Sequence, residues 1–152
     1  MSKLTTADVL NKDVLELIIP ADKVAHVQTI NPLEHALLVL VKTGYSAVPV
    51  LDAAYKLKGV ISKTMILNDI FGIERIEFEK LSERKVEQVM KADVPVLKSS
   101  DDLLTAIKLS IDQTFVNVED EKGNFLGILQ RSALLKFLNH YLRDQSHVMV
   151  SL

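Results

Sequence analysis

The residues that could do chemistry in this sequence are few and scattered. Four histidines, His26, His35, His140 and His147, show no paired spacing with an acidic partner of the kind that holds a metal. Five glycines, at positions 44, 59, 72, 123 and 127, form neither a phosphate-cradling loop nor a dinucleotide fingerprint. The adjacent carboxylates Asp101 and Asp102 suit a helix start better than an acid–base pair. Cysteine is absent, which removes disulfides and thiolate chemistry. Nothing in this set argues for catalysis.

What remains suits binding. Arg131 follows an apolar run and opens the last helical segment, where a guanidinium and the unpaired amides of a first turn could act together on a phosphate; the alternative is a solvated surface arginine. Tyr45, Ser46 and Ala47 stand between a helix end and a strand, so that Tyr45 could stack on a base and Ser46 hydrogen-bond it. Tyr45 serves equally well as a packing residue. A net charge of -2 and a pI near 6.1 give no broad positive field, so wrapping nucleic acid is not expected, and an anionic ligand must be met by a local cation.

The elements that must position these residues follow from periodicity. Hydrophobic residues make up 48% and charged residues 25% of the 152, the balance of a soluble globular protein. No apolar run is long enough to span a bilayer, and Met1 to Thr6 lack the apolar core of a secretory signal, so a cytoplasmic protein is expected. Thr5 or Thr6 caps a predicted helix through Val9, Leu10, Val14, Leu17 and Ile18, ending before Pro20. Val24 to Val27 read as a strand, Asn31-Pro32 as the cap and first residue of a helix that ends at Gly44, and Tyr45 to Asp52 and Leu57 to Ser62 as a strand pair. Lys63 to Phe71 then read as a helix, and Glu74 to Met90 as a helical connector, because that stretch has apolar periodicity and neither glycine nor proline.

The order then recurs. Val94 to Leu97, Asp101 to Gln113, Phe115 to Val118, Phe125 to Leu129 and Arg131 to about Arg143 repeat strand, helix, strand, strand, helix. Leu33 and Ala36 match Leu103 and Ala106 at an offset of 70, while Asp52 and Gly59 match Asp120 and Gly127 at 68. The chain is therefore read as a duplicated β-α-β-β-α unit of the α+β class. Its segments are 1–73 (N-terminal helix and first module), 74–90 (connector), 91–143 (second module) and 144–152 (C-terminal tail).

The first copy, Thr43-Gly44-Tyr45-Ser46-Ala47-Val48-Pro49-Val50-Leu51-Asp52 with Gly59-Val60-Ile61-Ser62, resembles the CBS domain, and the second, Thr114-Phe115-Val116-Asn117-Val118-Glu119-Asp120 with Gly127-Ile128-Leu129, resembles it in register. Tandem CBS domains imply two modules packed as a pair, dimerised into a flat disc, with adenine nucleotides in the clefts. The usual hydroxyl-x-x-Asp pattern for phosphate and ribose is broken here: Ser62 is followed by Met65 at the acidic position, and the second copy has Gln130 and Ala133. Ala21 to Gln28, Leu33 to Leu40, Lys42 to Tyr45 and Phe71 to Leu81 further resemble the stand-alone CBS-pair proteins of Gram-positive bacteria that bind cyclic di-AMP, the DarB or CbpB group.

That narrower resemblance implies a non-enzymatic cytosolic receptor for cyclic di-AMP, homodimeric, with no cofactor and no metal. Its apo form would bind a partner enzyme such as the (p)ppGpp synthetase/hydrolase of the stringent response or pyruvate carboxylase. It carries Lys23 and His26 to ligand contact, Ala25 to an adenine slot, and adds weight to Tyr45, Ser46, Ala47 and Arg131; Lys63 and Phe115 follow as weaker candidates by their repeat-equivalent positions. Two alternatives stand beside it: an AMP, ADP or ATP sensor on the same fold, and a structural adaptor that binds no ligand.

Overall fold

The computed structural model describes the chain from residue 5 to residue 150, with side chains described to residue 144. Its elements in chain order are α1 (Thr6–Leu10), β1 (Ile19–Pro20), β2 (Val27–Gln28), α2 (Leu33–Thr43), β3 (Ala47–Leu51), β4 (Leu57–Ser62), α3 (Lys63–Ile70), α4 (Lys80–Glu83), β5 (Val96–Lys98), α5 (Leu103–Ser110), β6 (Phe115–Glu119), β7 (Phe125–Gln130) and α6 (Arg131–Val150). They form two compact units. One runs from Ala25 to Val94; the other joins the residues up to Val24 with those from Pro95 onward. Spatial packing therefore divides the chain differently from the sequence segments 1–73, 74–90, 91–143 and 144–152, since the N-terminal segment packs with the second module and the connector with the first.

In the unit Ala25–Val94 the sheet order is β2-β3-β4, with β2 parallel and β4 antiparallel to β3. Gly44 ends α2 in the left-handed region, φ +78°, and its N–H donates to the Leu40 carbonyl at 3.0 Å, as a helix-ending glycine should. Leu33, Ala36 and Leu40 of α2 pack with Val27, Val48, Val50 and Ile61 of the sheet and Ile66 of α3, all fully or nearly fully buried. The second unit repeats this at the predicted offsets: Leu103, Ala106, Val116, Val118 and Leu129 form its core, with Val9, Val14 and Leu134. Its sheet order is β1-β7-β6-β5.

Each sheet is completed by the segment that precedes the other module in sequence. Ile19 and Pro20 of β1 pair with Ile128 and Gly127 of β7. In the other unit Lys91 exchanges two hydrogen bonds with Val60, each 2.9 Å, on the outer edge of β4. Gly127 and Gly59 occupy equivalent positions at these crossings, where a side chain would strike the arriving backbone.

Several sequence-based expectations need correction. The single helix expected as far as Ile18 breaks at Leu10: Asp13 accepts a hydrogen bond from Leu15 N–H at 3.0 Å and starts a separate 3-10 turn, Val14–Glu16, while Ile19 and Pro20 go to a strand. Of the strand expected over Val24–Val27 only Val27 is paired, together with Gln28; Val24 closes a 3-10 turn, Ala21–Lys23, and Ala25 and His26 are irregular. Helix α2 begins one residue late, because Asn31 spends its side-chain oxygen on Gln28 N–H at 2.7 Å. The connector is helical only at Lys80–Glu83 and in a 3-10 turn at Val86–Gln88. Its backbone bonds go outward to its module instead, from Val86 N–H to the Asn31 carbonyl (2.8 Å), Glu87 N–H to the Thr29 carbonyl (3.1 Å) and Leu33 N–H to the Arg84 carbonyl (3.0 Å). The last helix continues past Arg143 to Val150. The N-terminal residues 1–4 lie outside the described residues.

One buried polar group stands out. Asn117, only 2% exposed in the middle of β6, has a side-chain carbonyl with no hydrogen-bond partner among the described residues, where the first module has Pro49. An unpaired buried amide oxygen costs more than an apolar side chain of similar size, and a β-branched residue suits a central strand. Asn117→Val is therefore expected to raise stability by about 1 kcal/mol, read from the urea midpoint at unchanged slope.

Candidate functional site

The candidate residues sit at matching places in the two units. In the unit Ala25–Val94, β3 starts beside the end of β4: Ala47 pairs with Ser62, and Lys63 N–H donates to the Ser46 carbonyl at 3.1 Å. In the other unit Phe115 pairs with Gln130, and Arg131 N–H donates to the Thr114 carbonyl at 2.9 Å. Lys63 and Arg131 are thus the same residue of the repeat, each opening the helix that follows the strand pair. Sequence offset had found these pairs. The structure gives them the same local geometry.

Around Arg131 the arrangement favours an anion. The guanidinium donates through Nη1 to the Ile111 carbonyl at 3.3 Å, which steadies the side chain without neutralising it. Among the described residues Arg131 makes no ion pair, and it is only half-buried. A fork-shaped cation tethered through one N–H to a neutral acceptor keeps further donors for a phosphate. The carbonyl of Ile111 is the part sequence reasoning missed, since main-chain acceptors leave no residue-type signal.

In the other unit, Tyr45 and Ser46 are exposed directly after the helix-ending Gly44, beside the start of β3, with Tyr45 44% exposed. The local cause is the left-handed Gly44, which turns the chain out of α2 before β3 begins. Ser62 uses its hydroxyl as the cap of α3, accepting from Met65 N–H at 3.1 Å, and Met65 is half-buried. The hydroxyl that handles phosphate in the common nucleotide pattern is engaged here with its own helix, and no carboxylate stands three residues on.

Lys23 and Ala25 fall on either side of the boundary between units. Lys23 is exposed at the end of the Ala21–Lys23 turn, three residues after Pro20 of β1; Ala25 and His26 are half-buried at the entry to β2. His26 meets the Tyr55 ring edge-on, centroids 5.1 Å apart at 70°. Tyr55 holds φ +64°, a conformation that the second module assigns to Gly123 at the equivalent place. Sequence reasoning did not find this contact, because tyrosine carries no sign of a left-handed turn. Among the described residues no cluster of metal-ligating side chains occurs, and no helix is long and apolar enough to cross a membrane.

Comparison with known proteins agrees with this architecture. The CBS domain family matches residues 8–72 and 86–140. The cyclic di-AMP receptor B of Bacillus subtilis is 50% identical over 144 residues, covering 95% of this chain and 98% of that protein. A CBS domain-containing protein of Bacillus anthracis has a solved structure 56% identical, with a TM-score of 0.83 over 89% of this chain and 98% of its own. The CbpB protein of Listeria monocytogenes, solved in complex with c-di-AMP, is 48% identical, with a TM-score of 0.80 over 87% of this chain and 98% of its own. With two matched segments that span most of its length, and a sheet-and-helix unit built twice at the same offsets, this chain belongs to the CBS domain family and carries two CBS domains.

Proposed function

We propose that the chain is a non-enzymatic receptor for cyclic di-AMP. The observation that carries this is the half-identical cyclic di-AMP receptor B, aligned over nearly the whole of both chains. The local geometry supports it: Arg131 is an uncommitted cation at a helix start, and the ribose carboxylate of an ordinary AMP site is missing at Met65 and Ala133. Lys23, Ala25, His26, Tyr45, Ser46, Ala47 and Arg131 are the proposed contacts, with Arg131 on a phosphate, Tyr45 and Ala25 against adenine, and Lys63 and Phe115 in lesser roles.

In this reading the protein works in the cytoplasm as a homodimer. Its apo form binds and regulates a partner enzyme, a (p)ppGpp synthetase/hydrolase or pyruvate carboxylase, and nucleotide releases it. Cyclic di-AMP can displace a partner only by the ratio of its affinities for the free and the partner-bound protein, and the partner must weaken nucleotide binding by the same factor. Titration calorimetry against cyclic di-AMP, AMP, ADP and ATP tests the ligand. Cyclic di-AMP is expected to bind at about micromolar concentration or below, and the mononucleotides at least tenfold more weakly. Binding of AMP or ATP with cyclic di-AMP silent would make the protein an energy sensor, and silence towards all four would make it a structural adaptor.

A further inference from the structure

Between α3 and α4 the chain makes a compact loop, Phe71 to Glu79, braced from within. Gly72 N–H donates to the Arg75 carbonyl at 2.9 Å, Glu77 N–H donates to the Ile70 carbonyl at 2.6 Å, and Phe71 bridges to Ile76. A Cβ on Gly72 would lie 2.9 Å from the Arg75 carbonyl oxygen, so the loop closes this tightly only around glycine. Lys80 anchors its far end, reaching the Glu77 carboxylate at 3.0 Å and the Asp69 carbonyl at 3.2 Å.

This ordered loop holds large apolar side chains in water. Ile73 is fully exposed, Phe78 is 64% exposed and Phe71 53%, and Phe71 and Ile73 border an open hollow of about 550 Å³. Single exposed apolar residues are ordinary on a soluble protein, but three within eight positions on a braced loop concentrate apolar surface in the way that marks an interaction site.

The charges around the patch show what it fits. The loop carries three glutamates against one arginine. Arg75 is spent on Glu79, through two hydrogen bonds that hold that carboxyl down at about 2, and Glu77 is spent on Lys80. Glu74, exposed beside Ile73, makes no ion pair among the described residues. A symmetric contact of this patch with a second copy would bring the two Glu74 carboxylates together, and an anionic lipid surface would repel Glu74.

We infer that the Phe71–Glu79 loop is the docking surface for a partner protein that offers an apolar pocket edged by lysine or arginine, with Ile73 as the inserted side chain and Glu74 as the charge that meets the basic edge. This rests on the reading that the chain regulates another protein. A rigid loop loses little entropy on docking, so one well-placed aliphatic side chain can dominate the contact.

The test measures binding of the full-length apo protein to purified (p)ppGpp synthetase/hydrolase and to purified pyruvate carboxylase by biolayer interferometry, with cyclic di-AMP affinity, melting temperature and sedimentation measured alongside. Ile73→Glu and Phe78→Glu are expected to lose at least tenfold in affinity for the enzyme that binds wild type, and Glu74→Lys to lose severalfold, with nucleotide affinity and melting temperature unchanged. Wild-type affinity in all three variants overturns the inference and leaves the regulatory reading standing. Failure of wild type to bind either enzyme overturns both. Variants that break up a wild-type oligomer overturn the inference in favour of self-association.

Discussion

Arg131→Ala is expected to lower affinity for cyclic di-AMP by about a hundredfold while leaving the fold intact. Two charge-assisted hydrogen bonds from a guanidinium to phosphate oxygens contribute about 3 kcal/mol together, and that is about two decades in the dissociation constant. The fold is spared because the tie that matters structurally is main-chain: Arg131 N–H to the Thr114 carbonyl at 2.9 Å survives any side chain but proline. The side chain itself contributes one hydrogen bond at 3.3 Å near the surface, so its loss costs a few tenths of a kcal/mol at most. Arg131→Lys keeps the charge and loses the fork, and is expected to fall between, about tenfold weaker than wild type. Ala25→Gly removes one methyl from the proposed adenine contact, about 0.8 kcal/mol, for a loss of severalfold. Calorimetry with thermal unfolding on the same samples checks all three. Wild-type affinity in Arg131→Ala would remove this residue from the site, and a lowered melting temperature would assign it to structure.

The parts of the fold that could be read from the sequence were those fixed by local chemistry repeated twice. Gly44 announced a left-handed helix end, and the offsets of 70 and 68 brought Leu33 and Leu103, Ala47 and Phe115, and Lys63 and Arg131 to equivalent places. The N-terminal helix misled because Val9, Leu10, Val14, Leu17 and Ile18 keep helical spacing across the break, while only the structure shows Asp13 capping a new turn. The connector misled for a related reason. Its apolar spacing suits a helix, but Val86 and Glu87 find carbonyl partners on Asn31 and Thr29, more than fifty residues away in sequence. The candidate charged and aromatic residues are chosen by residue type and place in the repeat; the main-chain acceptor at Ile111 and the contact of Tyr55 with His26 depend on no recognisable residue pattern and are visible only in the structure.

Gly127→Ala is expected to be the most damaging small substitution in the chain, and its repeat counterpart separates the two reasons. Gly127 has φ +146°, a region open in practice only to glycine, and an added Cβ would lie 2.0 Å from the Ile19 carbonyl oxygen. Relief requires either a changed backbone in β7 or displacement of β1, and the two penalties together come to about 4 kcal/mol, a large part of what a domain of this size has to spare. Gly59→Ala meets the same crowding, 2.4 Å from the Lys91 carbonyl, without a positive φ. Lys91 is held by two hydrogen bonds on an irregular segment that can shift, so the expected cost is about 2 kcal/mol. Urea unfolding should order the variants wild type, Gly59→Ala, Gly127→Ala; equal midpoints for the two variants would show that φ contributes nothing. The substitutions also part in function. Lys23 follows Pro20 by three residues, so displacing β1 moves a proposed nucleotide contact and Gly127→Ala should weaken cyclic di-AMP binding even at temperatures where it stays folded, whereas Gly59→Ala displaces a segment that carries none of the proposed contacts and should bind as wild type.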